Sequence, residues 1–249
     1  MTAPREATSR YHAREAASPA DLEAVLALRA LCFRGAVGHD DSDAFDALCT
    51  HIMIEDRQRA AAGQSALVCC FRILHLSDGH DIARSYAAQF YDLSALSAFG
   101  GPMIELGRFC IHPDAQDPDI LRVAWADLTR RVDREGVEML FGCSSFNGTE
   151  ATAHADAFAL LSARHIAPQR WRPRIKAPNT LCLGSGHRPD RRRAMAAMPP
   201  LLRTYLKMGG WVSDHAVVDR DLDTLHVFTG LEIAAIPAAR KRLLRAAVG

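Results

Sequence analysis

The sequence predicts an α/β protein with a mixed, bulged central sheet, flanked by helices and followed by a C-terminal extension. Apolar runs at 66–76, 101–112 and 137–146 have the length and composition of buried strands, and 120–135 repeats apolar residues at helical spacing. The strand, helix and strand from 101 to 146 therefore form a βαβ unit, which requires parallel neighbouring strands and a right-handed crossover.

One pair of charges in the second apolar run predicts the bulge. Glu105 and Arg108 are three residues apart, and residues at odd separation in a regular strand point to opposite faces. The two side chains share one face only where an extra residue interrupts the strand. A charge inside an apolar run also needs a partner, and the same holds for Arg72 in the first run.

Start and stop signals predict the other elements. A capping serine followed by proline predicts a helix that begins at Ser18 and ends at Gly35. The acidic segment 40–46 suits a helix N-terminus, which the helix dipole favours, or a site for a cationic group. The turn signal at 77–80 predicts a hairpin onto a strand at 82–90.

Changes in composition along the chain predict three parts. A loose lead-in covers residues 1–18, the main α/β domain covers 19–165, and an extension over 166–249 packs on that domain. The basic amphipathic tail at 236–248 suits a solvated terminal helix, with contact to a membrane surface as the alternative.

Composition excludes several classes of function. The chain has 249 residues, 49% of them hydrophobic and 24% charged, with a net charge of +1, which is typical of a globular domain without global attraction to nucleic acid. No apolar run approaches the roughly 20 residues that span a bilayer. The seven cysteines show no CxxC spacing and the histidines no metal-binding spacing, so we expect reduced thiols, no metal and a cytoplasmic location.

An ordered set of residues resembles a known family. The set combines charged and aromatic side chains in the first half with two longer motifs: Arg29 and Phe33, Asp43 and Asp46, Arg72, Glu105-Leu-Gly-Arg108, Leu-Phe-Gly-Cys-Ser-Ser-Phe-Asn-Gly-Thr at 140–149, and Met-Pro-Pro-Leu-Leu-Arg-Thr-Tyr-Leu-Lys-Met-Gly-Gly-Trp at 198–211. It resembles the ornithine N-acyltransferases that make lyso-ornithine lipid, which belong to the GNAT superfamily. The N-terminal half is also similar to acyl-homoserine lactone synthases.

The resemblance implies a GNAT-like fold and an N-acyltransferase. The implied reaction moves a long, usually 3-hydroxylated, acyl chain from acyl carrier protein to the α-amine of ornithine, the first step of ornithine lipid synthesis. Transfer to another amino acid such as glutamine, and acyl-homoserine lactone synthesis, are the alternatives among enzymes. A non-catalytic protein that binds the carrier or a membrane surface is the alternative from another class.

The same resemblance implies the site residues. Glu105, as general base, and Arg108 are the catalytic candidates, and the alternative for Glu105 is a buried ion pair with Arg72 or Arg108. The candidates for substrate binding lie in four segments: Arg29, Phe33, Asp43, Asp46, Arg72, Ser144 and Ser145. Arg191, Arg192 and Arg193 are the candidate contact with the acidic carrier protein, and anionic lipid at the inner membrane surface is the other expected partner of this basic segment.

The loop after the bulged strand predicts the acyl donor. GNAT proteins that use free coenzyme A commonly have a glycine-rich loop there, whose amides bind pyrophosphate at a helix N-terminus. Residues 114–121 contain three aspartates and no glycine, and aspartates repel a pyrophosphate. We therefore expect no bound cofactor, with the phosphopantetheine arm of acyl carrier protein presenting the thioester. Two parallel strands that separate at the bulge, the one ending at His112 and the one at 137–146, would admit this arm.

Overall fold

The computed structural model describes residues 9–35, 40–184, 186 and 188–246. These residues form two compact units. The described residues of the first unit lie within Met1–Arg72 and Arg108–Leu128, and those of the second lie within Ile73–Gly107 and Thr129–Ala247.

The described residues form the strands and α-helices that follow. The strands are β1 (Tyr11–Glu15), β2 (Thr50–Asp56), β3 (Leu67–Leu76), β4 (Tyr91–Asp92), β5 (Met103–Ile111), β6 (Met139–Asn147), β7 (Arg174–Ile175), β8 (Thr180–Cys182), β9 (Trp211–Val212), β10 (His215–Asp219) and β11 (Thr224–Glu232). The helices are α1 (Pro19–Arg34), α2 (Arg57–Ala61), α3 (Pro118–Glu135), α4 (Ala155–Arg164), α5 (Arg191–Ala197), α6 (Pro200–Lys207) and α7 (Ala238–Ala246).

The first unit orders its strands β1-β2-β3-β5, with β1 antiparallel to β2. Helix α1 begins as predicted, because Ser18 and Asp21 form a capping box, and it ends at Gly35, whose φ of 72° suits glycine. Val25 and Leu28 of α1 pack on apolar side chains of β2, β3 and β5, including Met53. Burial of each such side chain stabilises the unit by about 1.5–3 kcal/mol.

The second unit orders its strands β5-β6-β11-β10-β8. β5 and β6 are parallel, as the βαβ pattern predicts, whereas β6, β11, β10 and β8 are antiparallel to their neighbours. The mixed α/β fold of the prediction is confirmed. One face of β6, β10 and β11 packs against α4, α5 and α6 through an apolar core that contains Phe146, Phe158, Leu202 and Val227.

Three local predictions were wrong. The lead-in contains strand β1, because residues 11–15 pair with β2; its residues 1–8 lie outside the described part of the chain. The acidic segment 40–46 forms a turn before β2 rather than a helix N-terminus, because its carboxylates bond to arginines. Segment 82–90 forms short 3₁₀ turns instead of a hairpin strand, since the carboxylate of Glu105 binds main-chain amides there.

The tail folds into α7 as the amphipathic pattern predicts, and residues 247–249 lie outside the described part. The cysteines of the described segments are free thiols, with Cys69, Cys70 and Cys110 buried and Cys182 exposed. Among the helices of the described residues, none has the length and apolar composition needed to cross a bilayer.

Candidate active site

Three arginines and three aspartates of the first unit form one buried acid–base network. Its members are Arg29 on α1, Asp41, Asp43 and Asp46 in the turn that follows α1, Arg72 on β3 and Arg108 on β5. The network brings five of the predicted site residues together. Asp41 was missed as a site residue, although the acidic run 40–46 contains it.

Arg29 is the innermost member of the acid–base network and is only 1% exposed. Its Nε donates to Asp41 Oδ2 at 2.8 Å and its Nη1 to Asp46 Oδ1 at 2.6 Å. Its Nη2 also donates to the main-chain oxygen of Asp41. Arg29 therefore ties α1 to the acidic turn by bonds to two carboxylates, which are among the stronger hydrogen bonds in proteins.

Arg72 binds the other two carboxylate positions of the turn. It contacts both oxygens of Asp43, through Nη1 at 2.6 Å and Nη2 at 2.8 Å, which is the bidentate geometry of strong arginine–carboxylate pairs. The same Nη1 lies 2.6 Å from Asp46 Oδ1. The cation in the middle of β3 thus has the carboxylate partners that its burial requires.

Arg108 lies at the more accessible edge of the network. Its Nε donates to Asp41 Oδ2 at 3.1 Å, its contact with Asp43 Oδ2 is longer, at 3.5 Å, and its guanidinium lies 5.7 Å from the Phe33 ring centroid. Arg108 adopts a φ of 50°, in the left-handed region that non-glycine residues rarely occupy. The regular alternation of β5 is therefore interrupted where the Glu105–Arg108 spacing requires it.

Arginine neighbours keep the aspartates of the network ionised. Burial opposes ionisation of Asp43, but Arg72 outweighs it and holds the pKa of Asp43 below its ordinary value. The pKa of Asp46 is lowered in the same way, against its burial, chiefly by Arg29. Burial disfavours the charged form of His51, beside Asp46, and lowers its pKa, so that imidazole is neutral at pH 7.

These shifts predict loss of stability in acid. A carboxyl whose folded-state pKa is lowered contributes stability above its unfolded pKa of about 3.9, and loses it as the pH falls through the folded value. We expect the free energy of unfolding to fall steeply below about pH 4. The fall should be shallower in Asp43→Asn, measured by denaturant titration between pH 6 and 3. Equal slopes in the two proteins would contradict this account of Asp43.

Glu105 lies in the second unit and is 4% exposed. Its two carboxylate oxygens accept main-chain hydrogen bonds from Tyr86 and Ala87, both at 2.7 Å. The carboxylate therefore fixes the main chain at the start of the second 3₁₀ turn. Arg108, the other member of the Glu-x-x-Arg motif, contacts Asp41 and Asp43 of the acid–base network.

Register pairing of β5 with β6 stops partway along both strands. It runs from Met103–Met139 to Leu106–Gly142, although β5 continues to Ile111 and β6 to Asn147. Gly142 has no side chain at the last pair, and a Cβ there would collide with the main-chain oxygen of Leu106. The close approach of the two backbones at this pair therefore requires glycine.

The two serines of β6 differ in exposure. Ser144 is buried, and its Oγ accepts a hydrogen bond from Thr229 Oγ1 at 2.9 Å. Ser145 is exposed and lies opposite His226 of β11. Ser144 thus has a partner inside the sheet, whereas the neighbouring hydroxyl faces solvent.

An aspartate caps the N-terminus of α3, the position where a coenzyme A pyrophosphate would bind. Asp117 Oδ1 accepts the main-chain N–H of Asp119 at 2.9 Å, and its Oδ2 accepts the hydroxyl of Tyr11 at 2.8 Å. The hydrogen bond from the main-chain N–H of Asp119, followed by the one from the Tyr11 hydroxyl, lowers the pKa of Asp117. A carboxylate therefore already uses the positive end of the helix dipole.

The predicted carrier contact lies at the start of α5 in the second unit. Arg191, Arg192 and Arg193 are exposed, and Asp190 caps the helix through the amides of Arg192 and Arg193. Arg193 also lies 2.9 Å from Asp156. The three side chains form a basic surface, in which Arg193 is held by its ion pair with Asp156.

Comparison with known proteins agrees with this architecture. An acetyltransferase (GNAT) domain profile matches residues 32–126, which include most of the acid–base network. The chain is 34% identical over 196 residues to an L-ornithine N(alpha)-acyltransferase of Rhodobacter capsulatus, covering 79% of this chain and 76% of that protein. It is 28% identical over 205 residues to an L-ornithine N(alpha)-acyltransferase of Brucella abortus, covering 81% and 73%.

A solved structure shows the same fold at low sequence identity. FeeM, an N-acyl amino acid synthase from uncultured soil microbes, superimposes with a TM-score of 0.51 at 10% identity, covering 90% of this chain and 92% of that one. The two relatives, together with the matched profile, show that the chain is an acyltransferase of the GNAT class. Within that class, the identity to the Rhodobacter protein shows that the chain belongs to the L-ornithine N(alpha)-acyltransferase family.

Proposed function

We propose that this enzyme transfers an acyl chain from acyl carrier protein to the α-amine of L-ornithine. The observation that carries the proposal is the 34% identity, over four fifths of the chain, to a protein named L-ornithine N(alpha)-acyltransferase. The buried acid–base network supports it, because ornithine carries both a carboxylate and two amino groups.

The acceptor binds at the accessible edge of the network. Asp43 has the most exposed carboxylate of the three, at 23% of its side chain, and its contact with Arg108 is the longest in the network, at 3.5 Å. Ornithine can exchange this contact for two of its own, with its carboxylate on Arg108 and its side-chain ammonium on Asp43. The Arg29 and Arg72 pairs then hold the turn in place, because their bonds are shorter and deeper.

The acyl thioester binds in the second unit, where the pairing of β5 with β6 ends after Leu106–Gly142. Aminolysis of a thioester needs a main-chain N–H for the developing oxyanion and an acceptor for the proton of the amine. Main-chain N–H groups beyond the last β5–β6 pair stabilise the oxyanion. Glu105, directly or through a water, accepts the proton of the amine.

The donor arm comes from a carrier protein rather than from free coenzyme A. The Asp117 cap at α3 supports this choice, since a pyrophosphate would have to displace a carboxylate from the helix N-terminus. The basic surface of Arg191, Arg192 and Arg193 suits an acidic carrier. Helix α7 suits a peripheral contact with an anionic membrane surface, because Leu243 is 62% exposed beside Lys241 and Arg242.

Charge reversal tests the carrier surface. With Arg191, Arg192 and Arg193 all changed to Glu, we expect KM for acyl carrier protein to rise about tenfold or more at low salt and to lose its salt dependence, because attraction between exposed charges is screened. Arg122→Glu, a reversal at an exposed arginine of α3 that also pairs with an aspartate, is the control. A KM that keeps the wild-type salt dependence in the triple variant would remove this surface from the account.

Lipid profiling tests the proposed function in cells. Expression in a bacterium without ornithine lipids should yield a new ninhydrin-positive lipid whose headgroup is ornithine by mass spectrometry. A glutamine headgroup or an acyl-homoserine lactone would assign the enzyme to another acceptor. Absence of any acylated amine from cells that contain the folded protein would overturn the proposal.

A further inference from the structure

Polar side chains collect on one face of the sheet in the second unit. In the register of β6 with β11, Ser145 lies opposite His226 and Asn147 lies opposite Thr224, and residues at a spacing of two share a face. We call these four residues the polar strip. The intervening residues, such as Phe146 and Leu225, face the apolar core on the other side. The strip therefore lies on the face away from α4 and α5.

Hydrogen bonds of Tyr91 fix the proton position on His226. The Tyr91 hydroxyl donates to the main-chain oxygen of His226 at 2.8 Å, so its oxygen accepts from Nδ1–H of the same residue at 3.1 Å. Burial lowers the pKa of His226 to about 4, so the ring is neutral at pH 7. A neutral imidazole with its proton on Nδ1 has a lone pair on Nε2.

Two buried polar atoms of the polar strip have no hydrogen-bond partner among the described residues. His226 Nε2 and Thr224 Oγ1 make no hydrogen bond within the described part of the chain, and His226 is 3% exposed. Buried polar atoms are nearly always paired, because an unpaired one costs free energy. Beside them, Ser145 and Asn147 are exposed. This arrangement indicates that a ligand with a hydrogen-bond donor binds at the polar strip and pairs with these buried atoms.

The position of the strip identifies the ligand. Phe141, which lies opposite Glu105 in the β5–β6 register, shares its face of β6 with Ser145 and Asn147. Both strip residues of β6 follow Gly142, the last residue that pairs with β5. A group that starts near Glu105 and extends along β6 beyond Gly142 therefore reaches the polar strip.

We propose that the polar strip binds a hydrogen-bond donor of the acyl thioester, with Nε2 of His226 as the acceptor. The donor is an O–H on the acyl chain or an amide N–H of its pantetheine arm. This inference rests on the proposed acyl-transfer function and names residues that select the donor substrate. The half-buried Phe90 ring packs edge-on against His226, with centroids 5.0 Å apart, and so covers one side of the imidazole.

Paired donors identify the group that His226 binds. The enzyme is assayed with hexadecanoyl and 3-hydroxyhexadecanoyl thioesters of acyl carrier protein, and kcat/KM is measured for each. His226→Phe keeps an aromatic ring against Phe90 but has no acceptor, whereas His226→Gln retains one. We expect about a tenfold fall in kcat/KM for His226→Phe and partial recovery in His226→Gln. A fall with the hydroxylated donor alone assigns an acyl hydroxyl, and an equal fall with both assigns a pantetheine amide.

His215→Phe is the matched control. His215 is 1% exposed, packs on the same Tyr91 ring at 5.3 Å and lies on β10, two strands away from β6. His215→Phe should lower the melting temperature about as much as His226→Phe does. It should leave the ratio of kcat/KM for the hydroxylated donor to kcat/KM for the hexadecanoyl donor unchanged. If His226→Phe changes kcat/KM no more than His215→Phe does, or His226→Gln recovers nothing, the inference is wrong.

Direct binding separates this inference from the proposed function. Fluorescence anisotropy of each labelled acyl carrier protein reports donor affinity without turnover. Weaker donor binding by His226→Phe supports the polar strip even if the wild-type protein acylates no ornithine, in which case the proposed function alone fails. Ornithine acylation by the wild type, with unchanged affinity and kcat/KM in His226→Phe, overturns the strip alone.

Discussion

Glu105→Gln should lower kcat by about 10²- to 10⁴-fold, the usual contribution of a general base. Glutamine matches glutamate in size but cannot take the proton of the attacking amine. The rate of the variant should then depend on the fraction of ornithine that is already deprotonated, and kcat/KM should rise about tenfold per pH unit below the amine pKa. Glu138→Gln, at an exposed glutamate before β6, is the matched control.

The main-chain contacts of Glu105 require a second measurement. Each of its oxygens holds one amide, of Tyr86 or Ala87, and glutamine can accept only through its single oxygen. A purely structural role for Glu105 would lower the melting temperature and affect the variant's rate equally at every pH. A fall in kcat with the wild-type pH profile would therefore show that Glu105 positions the 86–87 turn and is not the base.

Arg29→Met should produce the largest loss of stability, about 3–5 kcal/mol in the free energy of unfolding. The change removes the cation that Asp41 and Asp46 share and leaves Arg72 and Arg108 as the remaining arginines of the network to offset three aspartates, and a buried charge without full compensation is costly. Denaturant titration measures the effect. In the double variant Arg29→Met with Asp41→Asn, we expect part of the lost free energy of unfolding to be recovered, because the network then has one carboxylate fewer to neutralise.

Arg245→Met is the control for the Arg29 prediction. Arg245 pairs with Asp133 at 2.8 Å, but its side chain is 61% exposed, and exposed pairs contribute little. We expect no measurable change in unfolding for this variant. If Arg29→Met were equally harmless, the acid–base network could not be what holds the acidic turn in place.

Helix α1 and the βαβ unit could be predicted from the sequence, because interactions between residues close in the chain determine them. The capping serine and closing glycine of α1 act within a few residues, so Ser18 and Gly35 could be identified from sequence alone. The βαβ unit follows from three consecutive apolar patterns, and the spacing of Glu105 and Arg108 already required the interruption of β5 that the φ of Arg108 provides.

The wrong predictions share one physical cause, which is a contact distant in sequence. Carboxylates at 40–46 suit a helix N-terminus, but Arg72 lies 29 residues after Asp43 and binds it in a turn. Glu105 likewise binds amides at Tyr86, 19 residues earlier, and holds 3₁₀ turns where the sequence predicted a strand. A sequence pattern over a few residues cannot predict partners that lie this far away in the chain.

Two residues of the candidate site had no usable signal in the sequence. Asp41 lies among several acidic neighbours, and its buried bonds to Arg29 and Arg108 distinguish it from the exposed Asp40. His226 lies in an alternating apolar run that predicts a strand, and its importance depends on Tyr91, 135 residues earlier in the chain. The contact with Tyr91 assigns the tautomer and so identifies Nε2, which makes no hydrogen bond in the described part of the chain, as an acceptor.

The central claim is acyl transfer to the α-amine of ornithine, and a labelled acceptor tests it most directly. The purified protein is incubated with acyl carrier protein carrying a hexadecanoyl chain and with ornithine labelled with ¹⁵N at the α position, and the product is fragmented in a mass spectrometer. We predict that the amide nitrogen carries the label and that glutamine offered at equal concentration is not acylated. Acylation of the unlabelled δ-nitrogen, preference for glutamine, or release of free acid without any amide would contradict the account.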